Sequence, residues 1–192
     1  MFCIKCLQFF KKDLLKKEDY DGEYHCPLEF CDYPLIEVDD SLKFIIRGVY
    51  SLDLETVWSC SGHFHDQHSF SCYITFCQDV NFNTYSNPPK YHVDINDLYK
   101  ICKELSEKEF FKDFIEVDTV KRNGLTRIAD WGEEEEYESL RIGTISEMDY
   151  DMEDRIEIQS KFLIFVDEVL TEVYIKLEEM KDDDTKEEIK ND

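Results

Sequence analysis

Apolar residues recur along this chain at two spacings, and the switch between them marks out its elements. After the polar stretch "DDS", residues Leu42, Ile45, Ile46 and Val49 fall on one face of a helical period. That predicts a short helix with acidic or hydroxyl capping candidates at Asp39 to Ser41. The runs "ETVWSC" and "SCYITFC" are rich in β-branched and aromatic residues and read as strands flanking a polar loop. "NFNTYSNPPK" is a turn-rich connection, and Pro88-Pro89 stops any regular element. Helical spacing returns with Leu98, Ile101, Cys102 and Leu105 behind a cap at Asp94 or Asn96. "DFIEVDTV" and "LTRIADW" predict a strand pair that turns over Arg122 to Leu125, because Asn123-Gly124 tolerates the positive φ angles of a tight hairpin. "YESLRIGTIS" predicts a further strand. Phe162, Val166, Val169, Val173, Leu177 and Met180 mark a long amphipathic helix from Arg155 to Met180, followed by the polar, fraying "KDDDTKEEIKND".

These elements predict an α+β fold: a mainly antiparallel sheet with helices on one face, preceded by a small N-terminal zinc knuckle. The expected units are residues 1–38 (the knuckle), 39–180 (the α+β domain) and 181–192 (an acidic flexible tail).

Composition narrows the function classes. A chain of 192 residues, 42% hydrophobic, can bury one substantial core. Its 45 acidic residues against 22 basic ones leave a net charge of −23, which repels phosphate backbones and argues against direct nucleic-acid binding. No apolar run reaches the roughly 18 residues of a membrane span, so no membrane contact is expected. "MFCIKCLQFF" lacks the apolar core and cleavage site of a signal peptide. A cytoplasmic location follows as the expectation, with the eight cysteines kept reduced as metal ligands, small core residues or reactive thiols.

Cys3-x2-Cys6 and Cys26-x4-Cys31 form two pairs with the short internal spacing that aims two thiolates at one ion. Two such pairs close a tetrahedron and leave no open position, so a zinc held there would be structural. His25 beside Cys26 is an alternative fourth ligand, and four unligated cysteines are the plain alternative.

Between the first two strands lies "SCSGHFHDQHSFSC", which concentrates Cys60, His63, His65, His68 and Cys72. Three chemistries compete for it. A second metal could use Cys60 and His63 with His68 or Cys72, activating water if one position stayed open. Cys60 could act as a nucleophile on His63, with Asp66 orienting the base. Alternatively Ser59, Cys60, Ser61 and Gly62 form a ligand-binding turn, with exposed amides, hydroxyls and a glycine that allows close approach. In that case Trp58, His63, His65 and His68 would stack on, or hydrogen-bond to, a heterocycle. A surface loop with incidental histidines is the remaining reading.

Residues 26 to 76, with "CPLEFC", "PLIEVDD", "TVWSCSGH" and "YITF", resemble uncharacterised small phage-type zinc-ribbon proteins that carry an SCSGH motif. More distantly, "SCSG" after a strand is similar to the Ser-Ser-Cys-Ser-Gly motif of the tRNA wybutosine-synthesis methyltransferase family, matched here by Ser59, Cys60, Ser61 and Gly62. His63 stands where that family has a basic Arg. The resemblance implies an α+β domain with a nucleotide-sized pocket at this loop, and a phage setting would imply sequestration of a signalling nucleotide.

Residues 132–154 hold ten acidic residues against one Arg. A solvated face explains them, as would a decoy surface for a basic protein partner. No Asp-x-Asp-x-Asp-Gly loop occurs, which excludes an EF-hand. The leading expectation is a non-enzymatic protein that holds a nucleotide-like small molecule at the SCSGH loop. The alternatives are an enzyme at that loop, methyltransferase-like or a metal-assisted hydrolase, and an acidic decoy that inhibits a host protein.

Overall fold

The computed structural model describes residues 1–16, 22–31, 33–54, 56–62, 70–77, 91–123, 136–145 and 150–191, with backbone alone at 57, 58, 77, 121–123, 136–138 and 186–191. Strands β1 (Phe2–Cys3) and β2 (Gln8–Phe9) form an N-terminal hairpin. Helix α1 (Lys43–Ser51) follows a 3-10 turn, Asp40–Leu42. Next come β3 (Thr56–Ser61), β4 (Cys72–Cys77), helix α2 (Ile95–Ser106), β5 (Ile115–Asn123), β6 (Glu136–Thr144) and helix α3 (Met152–Asn191). β3 to β6 make one antiparallel sheet in the order β3-β4-β6-β5, so the chain is an α+β protein. Among the described residues, no helix is long and apolar enough to cross a membrane.

Strand alternation assigns the sheet's two sets of side chains. Cys72, Ile74 and Phe76 of β4, Leu140 and Ile142 of β6, and Ile115 and Val117 of β5 enter the main core. They meet Phe162, Phe165, Val166, Val169 and Val173 of α3, Leu98, Cys102 and Leu105 of α2, and Ile46 and Val49 of α1. Phe165 is fully buried and lies edge-on to Phe111, with ring centres 5.1 Å apart. The residues of the other parity, Cys60, Tyr73, Thr75, Ser139 and Arg141, belong to the opposite face.

The helix caps are local hydrogen-bond solutions. Asp94 accepts from the Asp97 amide at 2.9 Å and starts α2 as expected. α1 has no side-chain cap at Leu42, because the 3-10 turn feeds directly into it. α3 begins three residues earlier than expected: Asp151 accepts from the amides of Glu153 and Asp154 at 2.8 and 2.9 Å. Part of the acidic segment is therefore a helix N-cap, where negative charge also suits the helix dipole.

One expectation lies outside the described residues and another is corrected. The expected turn at Asn123-Gly124 runs into residues 124–135, which also hold the strand "LTRIADW" and lie outside the described residues. β5 pairs along its whole length with β6, the strand expected from "YESLRIGTIS", from Ile115↔Thr144 to Asn123↔Glu136. At the C-terminus, the helix continues through Asn191 where a flexible tail was expected. The segment contains no Gly or Pro, Lys181 pairs with Glu178 one turn back, and the Tyr91 hydroxyl donates to Asp184 at 2.8 Å.

Replacing Phe165 by Ala should remove its edge-on contact and leave a cavity, costing about 3–5 kcal/mol in urea unfolding. A loss below about 1 kcal/mol would show that α3 does not close the core at this position.

Candidate metal centre and ligand face

β1 places Cys3, and the turn into β2 places Cys6. The Cys6 amide donates to the Cys3 sulfur at 3.4 Å, an arrangement that orients a thiolate for a cation. Leu7 completes this turn in the left-handed region, at φ 53°. The second pair lies on a loop whose arms are held by Cys26 N–H to the Tyr33 carbonyl at 2.8 Å and Leu35 N–H to the Tyr24 carbonyl at 2.7 Å. The x4 spacing of "CPLEFC" is accommodated by a turn in which Cys31 N–H donates to the Leu28 carbonyl, and by Phe30 at φ 68°. Left-handed backbone at a branched or bulky residue costs roughly 1–2 kcal/mol, and both instances sit next to a cysteine of the cluster.

The four sulfurs of Cys3, Cys6, Cys26 and Cys31 lie within 4.8 Å of one another. Cys6 and Cys31 sulfurs are 3.2 Å apart, Cys3 and Cys31 3.7 Å, and Cys26 and Cys6 4.0 Å. Four thiolates around one tetrahedral ion with metal–sulfur bonds of about 2.3 Å sit about 3.8 Å apart, so the cluster fits a metal. The four thiols form it without His25, whose backbone instead bridges to Pro34. Cys3, Cys26 and Leu35 are buried in a small satellite core with Met1, Phe10, Tyr24 and Tyr33 around it.

Proton sharing within the cluster has a definite direction. The hydrogen bond to Cys31, then burial, pushes the Cys6 thiol up to about 11. Burial pushes Cys3 up as well. Burial also opposes ionisation of Cys31, but hydrogen bonds from Cys6, Cys26 and Cys3 outweigh it and lower that thiol below its ordinary value. A cation must therefore displace protons from neighbouring thiols, and metal affinity should fall as pH falls.

The SCSG segment ends β3. Trp58 pairs with Thr75, Ser59 with Ile74, Cys60 with Tyr73 and Ser61 with Cys72. Ser61 is committed to the fold: its amide and hydroxyl donate to Asp39 at 3.0 and 3.2 Å. Its carbonyl accepts from Gln159 of α3 at 2.6 Å and from the Cys72 thiol at 3.0 Å. Gly62 has φ 85°, and a Cβ there would fall 2.5 Å from the Phe70 ring, so only glycine fits. The Gly62 amide donates to the Cys60 sulfur at 3.4 Å. Burial, with smaller contributions from Cys60 and Asp39, pushes the Cys72 thiol up to about 12, which makes it a core residue and a poor nucleophile. His63, His65 and His68, with Asp66, lie outside the described residues, as does the Trp58 side chain.

On the face away from the main core, the register sets out two rows. Trp58, Thr75, Arg141 and Asp118 align across the four strands, and Cys60, Tyr73, Gly143 and Glu116 align beside them. Arg141 folds back over Gly143, where a Cβ would meet its guanidinium at 3.2 Å, and lies 5.3 Å from the centre of the Tyr73 ring. It forms no ion pair among the described residues. The hydroxyls of Thr75 and Ser139 are buried there without hydrogen-bond partners among the described residues. Arg141 was not singled out from the sequence, although it is the one basic residue of the 132–154 segment. Asp39 and Gln159, which lock Ser61, leave no sequence signal because their partners are 22 and 98 residues away.

Comparison with protein-family models, with curated proteins and with solved structures finds no match to this chain.

The thiol cluster predicts one tightly held divalent ion per chain. Cys26→Ser should abolish stoichiometric metal in native mass spectrometry of the purified protein, whereas Cys102→Ser, at a buried thiol outside the cluster, should leave it intact. Equal metal content in both variants would remove the cluster as the site.

Proposed function

We propose that this protein is a non-enzymatic binding protein, stapled by zinc, that holds a nucleotide-like small molecule on the sheet face reached by the SCSG strand end. Four cysteine thiolates suit zinc, and with four protein ligands that ion has no position open for water or substrate, so its role is to hold the knuckle together. In this reading α1, α2 and α3 cover one face of the sheet and leave the other to the ligand.

The observation that carries the reading is Arg141 over the Tyr73 ring, 5.3 Å from its centre, in a chain of net charge −23. A guanidinium beside an aromatic ring offers a cation to an anionic group and a planar surface to a base. Cys60 shares that face by register. Ser61 and Gly62 act on the ligand indirectly in this account, by fixing the root of the histidine-bearing loop. A protein of this kind sequesters its ligand and releases it unchanged, in keeping with the phage-type proteins it resembles and with a cytoplasmic setting.

A panel of mono- and dinucleotides, titrated calorimetrically into the metal-loaded protein, tests this. At least one should bind, and chromatography should return it intact. Arg141→Ala should weaken binding about tenfold or more, and Arg141→Lys should weaken it as well, since an ammonium keeps the charge but not the planar stacking. Full affinity in both variants, or chemical turnover of the nucleotide, would contradict the proposal.

A further inference from the structure

α1 meets α3 at Gly48, where a Cβ would lie 2.9 Å from the Leu170 Cδ1. Beside this contact the two helices leave a cavity of about 280 Å³, lined by Phe44, Ile45, Leu170, Thr171, Tyr174 and a single charged residue, Asp167. Phe44 is 87% exposed and Tyr174 53% exposed, so two large rings face water at the rim. Ile164, 45% exposed, lies one turn before Asp167 on α3. Grouped rings and aliphatics of this kind on a highly charged chain mark an interaction surface.

Charge selects the occupant. Asp167 projects from α3 and is the one acid among the residues lining the groove. The nearby cations are largely spoken for: Lys43 pairs with Asp40 and Lys181 with Glu178, leaving exposed Arg47 on α1 beside the groove. A second copy of this chain would bring another −23 to the contact, and a nucleic acid or anionic lipid surface would be repelled in the same way. A cationic partner is drawn in. A groove formed by two helices accepts the ridge of a third, whose apolar side chains at helical spacing fill it while a Lys or Arg at its margin reaches Asp167. We propose that the groove between α1 and α3 docks a basic amphipathic helix of a partner protein.

The test uses a fluorescent amphipathic peptide of Leu and Lys, its leucines on one helical face, and a scrambled peptide of the same composition. Anisotropy is read at physiological ionic strength with the whole, metal-loaded chain. The patterned peptide should bind about tenfold more tightly than the scrambled one. Phe44→Glu should weaken it about tenfold or more, although the substitution adds a charge that attracts Lys. Phe44 is too exposed for this change to threaten the core, and Tyr174→Ala provides an independent loss of the apolar wall. Asp167→Asn should weaken binding and reduce its salt dependence. Equal binding of the two peptides, undiminished binding to Phe44→Glu and Tyr174→Ala, no binding to the wild type, or a dimer in solution that Phe44→Glu dissolves would each overturn the proposal.

Discussion

Two neighbouring residues, Phe2 and Cys3, tie the molecule together. Both are completely buried, and strand geometry sends them to opposite sides of β1. Phe2 enters the main core, 4.6 Å from the Phe9 ring and 5.9 Å from Tyr50 of α1, while Cys3 enters the thiol cluster. Paired hydrogen bonds between Phe2 and Ile36, at 2.8 and 2.9 Å, close the knuckle against the chain that leads into α1. The N-terminal unit is thus built into the domain, and whatever fixes Cys3 also fixes Phe2. The left-handed turns at Leu7 and Phe30 add strain that a bound ion would offset, because four thiolates drawn to one centre would hold both turns closed.

From there the structure divides its work between surfaces. Asp39, just before the 3-10 turn, reaches Ser61 at the end of β3, and Gln159 reaches the same residue from α3. The SCSG strand end is therefore anchored to both the knuckle side and the long helix, and the loop that follows departs from a fixed point. On the face away from the core, Arg141 and Tyr73 supply a cation and a ring in a setting otherwise dominated by carboxylates. The groove between α1 and α3 has the reverse character, apolar with a single acid, Asp167, in its lining. A chain this acidic can accommodate both, because one local guanidinium in a partly shielded site outweighs distant screened charge at close range.

Much of this was legible in the sequence where the signal was local. Helical spacing located α1, α2 and α3, β-branched runs located β3 and β4, and the two cysteine pairs identified the thiol cluster. What was not legible was non-local. The pairing of β5 with β6 joins segments separated in the chain, and no local pattern announces it. Asp39 reads as a helix cap but spends its carboxylate on Ser61. The lone Arg among ten acids in residues 132–154 was visible, but only the register with Tyr73 gives it a neighbour. The polarity of the last residues suggested fraying, whereas helix-favouring composition and the pin from Tyr91 to Asp184 extend α3.

The coupling of metal to core through Phe2 and Cys3 can be measured directly by amide hydrogen exchange on the metal-loaded protein and after removal of the ion with a chelator. Stripping should speed exchange at Phe2 and Ile36 about tenfold or more, spread loss of protection into α1, and lower the temperature of unfolding. Unchanged protection at Phe2 and Ile36, with an unchanged unfolding temperature, would contradict the account and leave the thiol cluster as an appendage without structural consequence.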